Sequence, residues 1–363
     1  MVGAKGRVGI VGAGILGRLT AFFLLDTGWE ITIFEEGPEN PNNSSFSPSY
    51  AAAGMIAPYC ELENRGANVT KLGFDSLALW PSIVERVGGN VFFQREGSLV
   101  VTHSQERQEF QGLQRTVEKF IPNPEMKLVN RDEIKEYEPD LDPSITEGLF
   151  FPLEGQIDGA GILAALGAHL EANGVTFHYN TKAIKIEAGR ITTDAHSLRF
   201  DCVADCRGMG AKADLKNLRG VRGEIVRLHA PDVSLRRPVR LMHPRYPIYV
   251  VPRPDHNYIV GATTVESEDL SEISVRGALE LLSALYSLNS GFSEARIKET
   301  AVQLRPAFLD NAPKVFHKKG LCRANGLYRH GYLSSPKVAA LTAAFISEGK
   351  IEEGYESLFE PES

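Results

Sequence analysis

Cysteine and long apolar runs are both scarce in this sequence of 363 residues. Its four cysteines are too few for a disulfide framework, so we expect a reducing compartment and a cytoplasmic location. A bilayer span needs roughly 18 apolar residues. The longest candidate, residues 15–25, is interrupted by Gly17, Arg18 and Thr20. The sequence therefore predicts neither a disulfide-stabilised secreted protein nor a membrane span.

Positive charge and metal-ligand spacing are lacking as well. The 39 Lys and Arg residues are outnumbered by 46 Asp and Glu residues, and no basic run is present, so we expect no nucleic-acid partner. The nine histidines show no zinc-type spacing. Cys202 and Cys206 lie in an apolar segment, so we predict buried thiols and no metal site. The expected partner is a small molecule, and a homo-oligomer is compatible with the sequence.

A glycine-rich turn near the N-terminus is the first motif with a clear chemistry. A β-branched strand leads into the turn, an apolar helix and a second strand follow, and that strand ends at Glu35. In such a βαβ unit Gly12 makes the turn, Gly14 admits a pyrophosphate and Gly17 lets the helix approach the strand. Glu35 would accept hydrogen bonds from a ribose. The motif predicts an adenine dinucleotide, with FAD and NAD both open, and its sequence is Gly12-Ala13-Gly14-Ile15-Leu16-Gly17.

A block of small residues follows a polar loop at residues 38–50. Its sequence is Ala51-Ala52-Ala53-Gly54-Met55. A flat ring could lie against such a backbone, and Ser44, Ser45 or Ser49 could reach phosphate oxygens. Tight packing of a small-residue helix against a neighbour explains the block equally well.

The ordered motifs together resemble the D-amino-acid-oxidase family of FAD enzymes, and within it the glycine oxidases of the thiamine-pathway type. The resemblance covers nearly the whole chain. Beyond the glycine turn and the alanine-rich block, it rests on Arg222-Gly223-Glu224, Tyr249-Val250-Val251-Pro252-Arg253, Gly261-Ala262-Thr263, Leu304-Arg305-Pro306 and the C-terminal block Gly326-Leu327-Tyr328-Arg329-His330-Gly331.

The resemblance implies noncovalent FAD as the cofactor. The alanine-rich block would line the flavin, and the C-terminal glycine block would supply backbone donors to the pyrimidine end of the ring. Further positions implied in cofactor binding are Val175, Gly208, Arg305, Arg329, His330, Gly331 and Tyr332.

Candidate substrate-binding residues also come from this resemblance. Arg305 alone would be interpreted as half of a surface ion pair, but the Arg-Pro block is similar to the carboxylate-binding arginine of the family. Arg329 corresponds to a second active-site cation, and Tyr249 to a hydroxyl that binds the same carboxylate. Tyr246 is near in sequence and either closes the pocket or packs in the core.

The predicted fold class is α/β, with two domains that are both discontinuous in sequence. A Rossmann-like FAD-binding domain of the glutathione-reductase type comprises residues 1–90, 140–215 and 300–363 and closes with a helix at residues 337–347. A substrate domain on a mainly antiparallel sheet comprises residues 91–139 and 216–299.

The function implied by the resemblance is oxidation of a small amino acid or amine, with dioxygen as the electron acceptor. One alternative is a flavoprotein monooxygenase or maturation enzyme acting on a side chain of a partner protein. Such hydroxylases carry a Gly-Asp motif near the flavin, and this sequence contains no Gly-Asp dipeptide. A second alternative is a dehydrogenase that passes electrons to a quinone.

Overall fold

Two large sheets organise the chain in a computed structural model, which describes residues 5–41, 43, 46–60, 62, 67–243 and 246–362. The described strands are β1 (Gly6–Val11), β2 (Trp29–Phe34), β3 (Met55–Ile56), β4 (Phe93–Gln94), β5 (Ser98–Thr102), β6 (Lys127–Asn130), β7 (Glu147–Phe151), β8 (Gly155–Ile157), β9 (Thr176–His178), β10 (Ala183–Glu187), β11 (Arg190–Thr193), β12 (Ser197–Arg199), β13 (Cys202–Asp205), β14 (Arg219–His229), β15 (Val239–Met242), β16 (Ile248–Arg253), β17 (Asn257–Gly261), β18 (Arg296–Ala307), β19 (Lys314–Lys318), β20 (Leu321–Asn325) and β21 (Phe359–Pro361).

Helices pack on both sheets. They are α1 (Ile15–Leu24), α2 (Pro48–Ala51), α3 (Ala67–Val87), α4 (Arg107–Phe120), α5 (Arg131–Tyr137), α6 (Gly159–Ala172), α7 (Val275–Leu288) and α8 (Gly331–Glu348). Among the helices of the described ranges, none is long and apolar enough to cross a membrane.

The first sheet has seven strands in the order β21-β19-β20-β13-β1-β2-β9. Its central pairs, from β20 through β13 and β1 to β2 and β9, are all parallel. The apolar strand with Cys202 belongs to this sheet, because Cys202 pairs with Val8. Parallel order brings the carboxyl ends of these central strands to one edge, which is where α/β sheets bind ligands.

The second sheet has eight strands in the order β18-β14-β17-β16-β15-β5-β7-β6. Every neighbouring pair is antiparallel except β15 with β5, so the predicted mainly antiparallel sheet is confirmed. One face packs on α7, whose Leu281, Leu285 and Leu288 share a core with Val226 and Val260 of the sheet.

Two strands differ from the predicted domain ranges. The predicted ranges assign Glu147–Phe151 to the FAD-binding domain, but β7 pairs with β5 and β6 of the second sheet. Arg296–Ala307 crosses the predicted boundary at residue 300, because β18 continues to pair with β14 as far as Ala307. Strand pairing joins segments distant in sequence, and composition does not show it. The division into two functional domains remains a prediction.

The C-terminal helix begins six residues before the predicted start at Lys337. Pro336 lies inside it and lacks the N–H that would normally bond to the carbonyl of Tyr332. The indole nitrogen of Trp80 donates to that carbonyl instead, at 2.9 Å. A side chain of α3 therefore satisfies the acceptor that the proline leaves, and α8 can start at Gly331.

Candidate functional site

A cavity of about 430 Å³ opens at the carboxyl ends of β1, β2, β13 and β20 and is closed on one side by the second sheet. Most of the predicted site residues lie on its wall. These are Gly12, Gly14, Ile15, Leu16, Glu35, Ser49, Ala51, Ala52, Ala53, Gly54, Met55, Gly208, Tyr249, Arg305, Arg329, His330, Gly331 and Tyr332.

The glycine turn forms one end of the cavity. Gly12 has φ of +98°, and a Cβ there would come within 2.7 Å of the carbonyl oxygen of Cys206. A Cβ on Gly17 would overlap the carbonyl oxygen of Gly12, so the helix can approach the turn only with glycine at this position. Gly17 thus lies behind the wall and sets the packing of α1, while the backbone of Gly14 lies on the wall itself.

Glu35 extends from the end of β2 beside this turn. Its carboxylate accepts hydrogen bonds from the backbone N–H groups of Ala13, at 2.7 Å, and Gly37, at 3.1 Å. Each carboxylate oxygen has a further lone pair, so the same group can also accept from a ribose hydroxyl. The neighbouring Glu36 is exposed and forms an ion pair with Lys182 at 3.4 Å.

Ser49 connects the glycine turn to the alanine-rich block. Its hydroxyl oxygen accepts from the N–H of Ile15 at 3.1 Å, and its carbonyl accepts from the hydroxyl of Tyr332 at 2.6 Å. Burial raises the pKa of Tyr332, so this hydroxyl remains a neutral donor at physiological pH. Ser44 and Ser45, the two other predicted serines, lie outside the described residues.

The sequence left open whether the alanine-rich block packs as a helix or lines a flat ring, and the block has features of both. Ala51 ends the short helix α2, and residues 52–54 continue as non-helical backbone along the cavity. The block is held from behind by Arg253, whose Nη2 donates to the carbonyls of Ala53 at 2.6 Å and Ile157 at 2.8 Å. Sequence reasoning gave Arg253 no role, although it closes one of the motifs that carried the resemblance.

The C-terminal glycine block, residues 326–331, also lines the cavity. It connects β20 to α8, and the 18 residues of that helix direct its positive dipole end at the cavity. The N–H of Tyr328 donates to the carbonyl of Pro306 at 2.9 Å. This hydrogen bond brings the segment that carries Arg329 next to the segment that carries Arg305.

Arg305 extends from β18 across β14. Its guanidinium lies over Gly223, where a Cβ would overlap it. Nη1 donates to the carbonyl of Thr263 at 3.0 Å and to that of Arg222 at 3.3 Å. Main-chain acceptors therefore fix the orientation of the guanidinium, and glycine at position 223 provides the space for it.

A buried polar network lies behind Arg305, and sequence reasoning missed it. Glu224, which is 1% exposed, accepts from Nη2 of Arg222 at 2.7 Å, from the hydroxyl of Thr263 at 3.0 Å and from the N–H of Ser274 at 3.1 Å. Burial raises the pKa of Glu224, but these hydrogen bonds outweigh burial and the pKa lies below its usual value. The network supports Thr263, which in turn accepts from Arg305.

Tyr249 and Tyr246 occupy different environments. Tyr249 lies on the cavity wall, over Gly261 and beside the alanine-rich block. Tyr246 stacks on His243, with 5.4 Å between ring centroids, and its N–H donates to Nδ1 of that histidine at 2.8 Å. Tyr246 is not among the described residues that line the cavity, so the structure does not bring it to the site.

Val175 is likewise not among the described residues that line the cavity. It is 6% exposed in the core of the first sheet, and its N–H donates to the carbonyl of Leu170 at 3.0 Å, just before β9. Its apolar side chain is used for packing. Within the described ranges, no group of three His, Cys, Asp or Glu residues is placed to hold a metal ion.

Residues 7–345 match the DAO family model, described as FAD dependent oxidoreductase. The chain belongs to this family of FAD-dependent oxidoreductases. It is 36% identical over 338 residues to the thiamine biosynthesis oxidoreductase ThiO of Rhizobium etli. The matched residues cover 95% of that protein and 93% of this chain. It is 25% identical to a glycine oxidase of Geobacillus kaustophilus, with 93% and 92% of the two chains covered.

Solved structures support the same fold. The crystal structure of glycine oxidase from Geobacillus kaustophilus superposes with a TM-score of 0.82 at 24% identity and covers 96% of each chain. Iminodiacetate oxidase from Chelativorans gives a TM-score of 0.85 at 23% identity, covering 98% of this chain and 99% of that one. These likenesses confirm the α/β fold with its mainly antiparallel second sheet.

The cavity fits the FAD that the family uses. Gly14, at the start of α1, lies on the cavity wall and has no side chain, so its backbone can come close to a pyrophosphate. The alanine-rich block offers a surface with little side-chain bulk for a flat ring. The residues that would hold the cofactor are thus the glycine turn, Glu35, the alanine-rich block and the start of α8.

Proposed function

We propose that the enzyme oxidises the carbon–nitrogen bond of a small amino acid or amine, such as glycine, sarcosine or a small D-amino acid. The product is an imine, which water hydrolyses to an oxo acid with release of ammonia from glycine or a primary D-amino acid, or of methylamine from sarcosine. When bound, FAD supplies hydride acceptance and the transfer of electrons to dioxygen, with hydrogen peroxide as the by-product.

The observation that carries this proposal is the position of Arg305, Arg329 and Tyr249 on the wall that also contains the alanine-rich block. Arg305 is fixed by main-chain carbonyls, so its guanidinium is oriented before the substrate arrives. We assign to it a pair of parallel hydrogen bonds with the substrate carboxylate. Arg329 adds a second positive charge, and Tyr249 a hydroxyl donor.

The chain's contribution is then orientation. A carboxylate bound at Arg305 places the amino acid at a fixed position beside the flavin-lining block, and such positioning lowers the barrier by removing rotational freedom. The carboxylates on the described wall are Glu35 and Glu36, which follow β2 beside the glycine turn. We therefore assign no carboxylate base, and the substrate's amine is bound neutral so that its lone pair drives imine formation.

The relatives support the substrate class by their names. The ThiO of Rhizobium etli is named for thiamine biosynthesis, and the relative from Geobacillus kaustophilus is a glycine oxidase. We also infer a cytoplasmic location, which is supported by the four cysteines, since all of them are free thiols.

Product analysis tests this proposal. The FAD-loaded protein is incubated in air with glycine, sarcosine, D-alanine, D-proline and L-amino acids, and peroxide, ammonia and oxo acid are measured. We expect peroxide with at least one small amino acid. Imine formation that requires an added quinone would favour a dehydrogenase, and no product from any amino acid would favour the protein-modifying alternative.

A further inference from the structure

Leu270 is an exposed apolar side chain on the wall of the cavity that contains Arg305. It is 57% exposed, and it follows the predicted Gly261-Ala262-Thr263 motif in a segment to which sequence reasoning gave no role. A single exposed leucine is common on protein surfaces and needs no explanation. The environment of this one is unusual, because buried polar groups hold the backbone on both sides of it.

The segment around Leu270 is held by the guanidinium of Arg222. Its Nη1 donates to the carbonyls of Asp269 at 2.7 Å and Ser271 at 2.9 Å, and its Nη2 donates to that of Glu272 at 2.7 Å. One of these acceptors precedes Leu270 and two follow it. Arg222 is itself 5% exposed and paired with Glu224 at 2.7 Å, so the arrangement is anchored in the core.

The turn at Leu270 is also closed by its own side chains. The carboxylate of Asp269 accepts from the N–H of Ser271 at 2.8 Å and from its hydroxyl at 2.6 Å. At the start of the segment, the N–H of Arg222 donates to the carbonyl of Val265 at 2.9 Å, and the N–H of Val265 returns to Arg222 at 3.0 Å. Leu270 is thus presented by a preorganised turn.

Arg222 connects this turn to the proposed carboxylate anchor. Its carbonyl accepts from Nη1 of Arg305 at 3.3 Å, while its side chain holds the carbonyls around Leu270. A change in the position of Arg222 would therefore alter both the orientation of Arg305 and the turn that carries Leu270. The apolar side chain and the cationic anchor therefore face the same cavity from one shared support.

We propose that Leu270 is a specificity-determining residue that packs against a short apolar group on the amine or α-carbon of the substrate. The favoured class is then a small amino acid with an alkyl substituent, in preference to glycine. This inference rests on the proposed function, because it assumes a carboxylate bound at Arg305. Contact with two methylene groups corresponds to about a tenfold gain in affinity.

Ligand binding without turnover tests the inference. Acetate and butyrate are titrated into the FAD-loaded protein, and binding is followed by the change in flavin absorbance. We expect butyrate to bind more tightly than acetate, and Leu270→Ala to weaken butyrate about five- to tenfold while changing acetate less than twofold. Leu270→Met, which retains the apolar volume, should restore butyrate affinity. Leu279→Ala is the matched control, since Leu279 is 62% exposed on α7.

The outcomes separate this inference from the proposed function. An unchanged ratio of the two dissociation constants in Leu270→Ala would overturn the role of Leu270, even if amino acids reduce the flavin. The expected loss of butyrate affinity, with no reduction by any amino acid, would support Leu270 and contradict the proposed oxidation. Binding of neither carboxylate would overturn the inference, because no anchored ligand would then lie beside Leu270.

Discussion

Replacement of Arg305 by lysine perturbs the proposed carboxylate anchor while keeping its charge. In the structure, Nη1 of Arg305 donates to the carbonyls of Thr263 at 3.0 Å and Arg222 at 3.3 Å. Lysine has one nitrogen on a flexible chain and no planar fork. It cannot maintain both carbonyl contacts and also offer two parallel donors to a carboxylate.

The size of the effect follows from the hydrogen bonds that are lost. A hydrogen bond to a charged group contributes about 1.5 to 3 kcal/mol, and each 1.4 kcal/mol is about tenfold. We therefore expect Arg305→Lys to reduce kcat/KM by about 10- to 100-fold. Because the carboxylate is bound in both the ground state and the transition state, most of the loss should be in KM.

Steady-state kinetics with the best amino acid substrate provide the assay, and the flavin absorbance per protein gives the FAD content. Arg296→Lys is the matched control, because Arg296 begins the same strand and is exposed. Its Nη1 lies 4.0 Å from Oε2 of Glu294. FAD content should be equal in both variants. Unchanged kinetics in Arg305→Lys would refute the anchor, and a loss of FAD with the loss of activity would assign Arg305 to cofactor retention instead.

Two further predictions concern the flavin linkage and pH. Acid precipitation should leave the yellow colour in the supernatant, because burial raises the pKa of the Cys206 thiol on the cavity wall to about 12 and keeps it unreactive; a yellow pellet would contradict noncovalent FAD. Burial also raises the pKa of Glu154 from 4.5 to about 7. The folded state therefore binds an extra proton between these values, and the free energy of unfolding falls as pH rises through them. The free energy of unfolding is measured with urea at pH 5 and at pH 8. Its decrease between the two pH values should be smaller in Glu154→Gln than in the wild type, by up to about 3 kcal/mol. Equal decreases would contradict the assignment.

Local motifs in the sequence predicted the strand, the glycine turn and the helix near the start of the chain. The glycine turn, the following helix and Glu35 are close together in the chain, so their spacing contains most of the geometry. Gly28, with φ of +81°, ends the 3-10 turn Leu25–Thr27 that follows α1. These local features are predictable because each of them depends on neighbouring residues.

Features that depend on distant pairing were not predictable in the same way. Glu224 and Thr263 are 39 residues apart, and only the pairing of β14 with β17 brings them within hydrogen-bonding distance. The early start of α8 depends on Trp80, which is 252 residues from the carbonyl it satisfies. The sequence leaves Tyr246 either closing the pocket or packing in the core, and in the structure its ring stacks on His243.

Anaerobic mixing of the FAD-loaded protein with amino acids tests the central claim most directly. We predict that glycine, sarcosine or D-alanine bleaches the flavin absorbance faster than D-phenylalanine does, because Tyr249 occupies part of the cavity wall. L-alanine should give no bleaching, since a carboxylate anchored at Arg305 turns its Cα–H away from the flavin. Faster bleaching by D-phenylalanine would contradict the small substrate, and no bleaching by any amino acid would contradict the proposed oxidation itself.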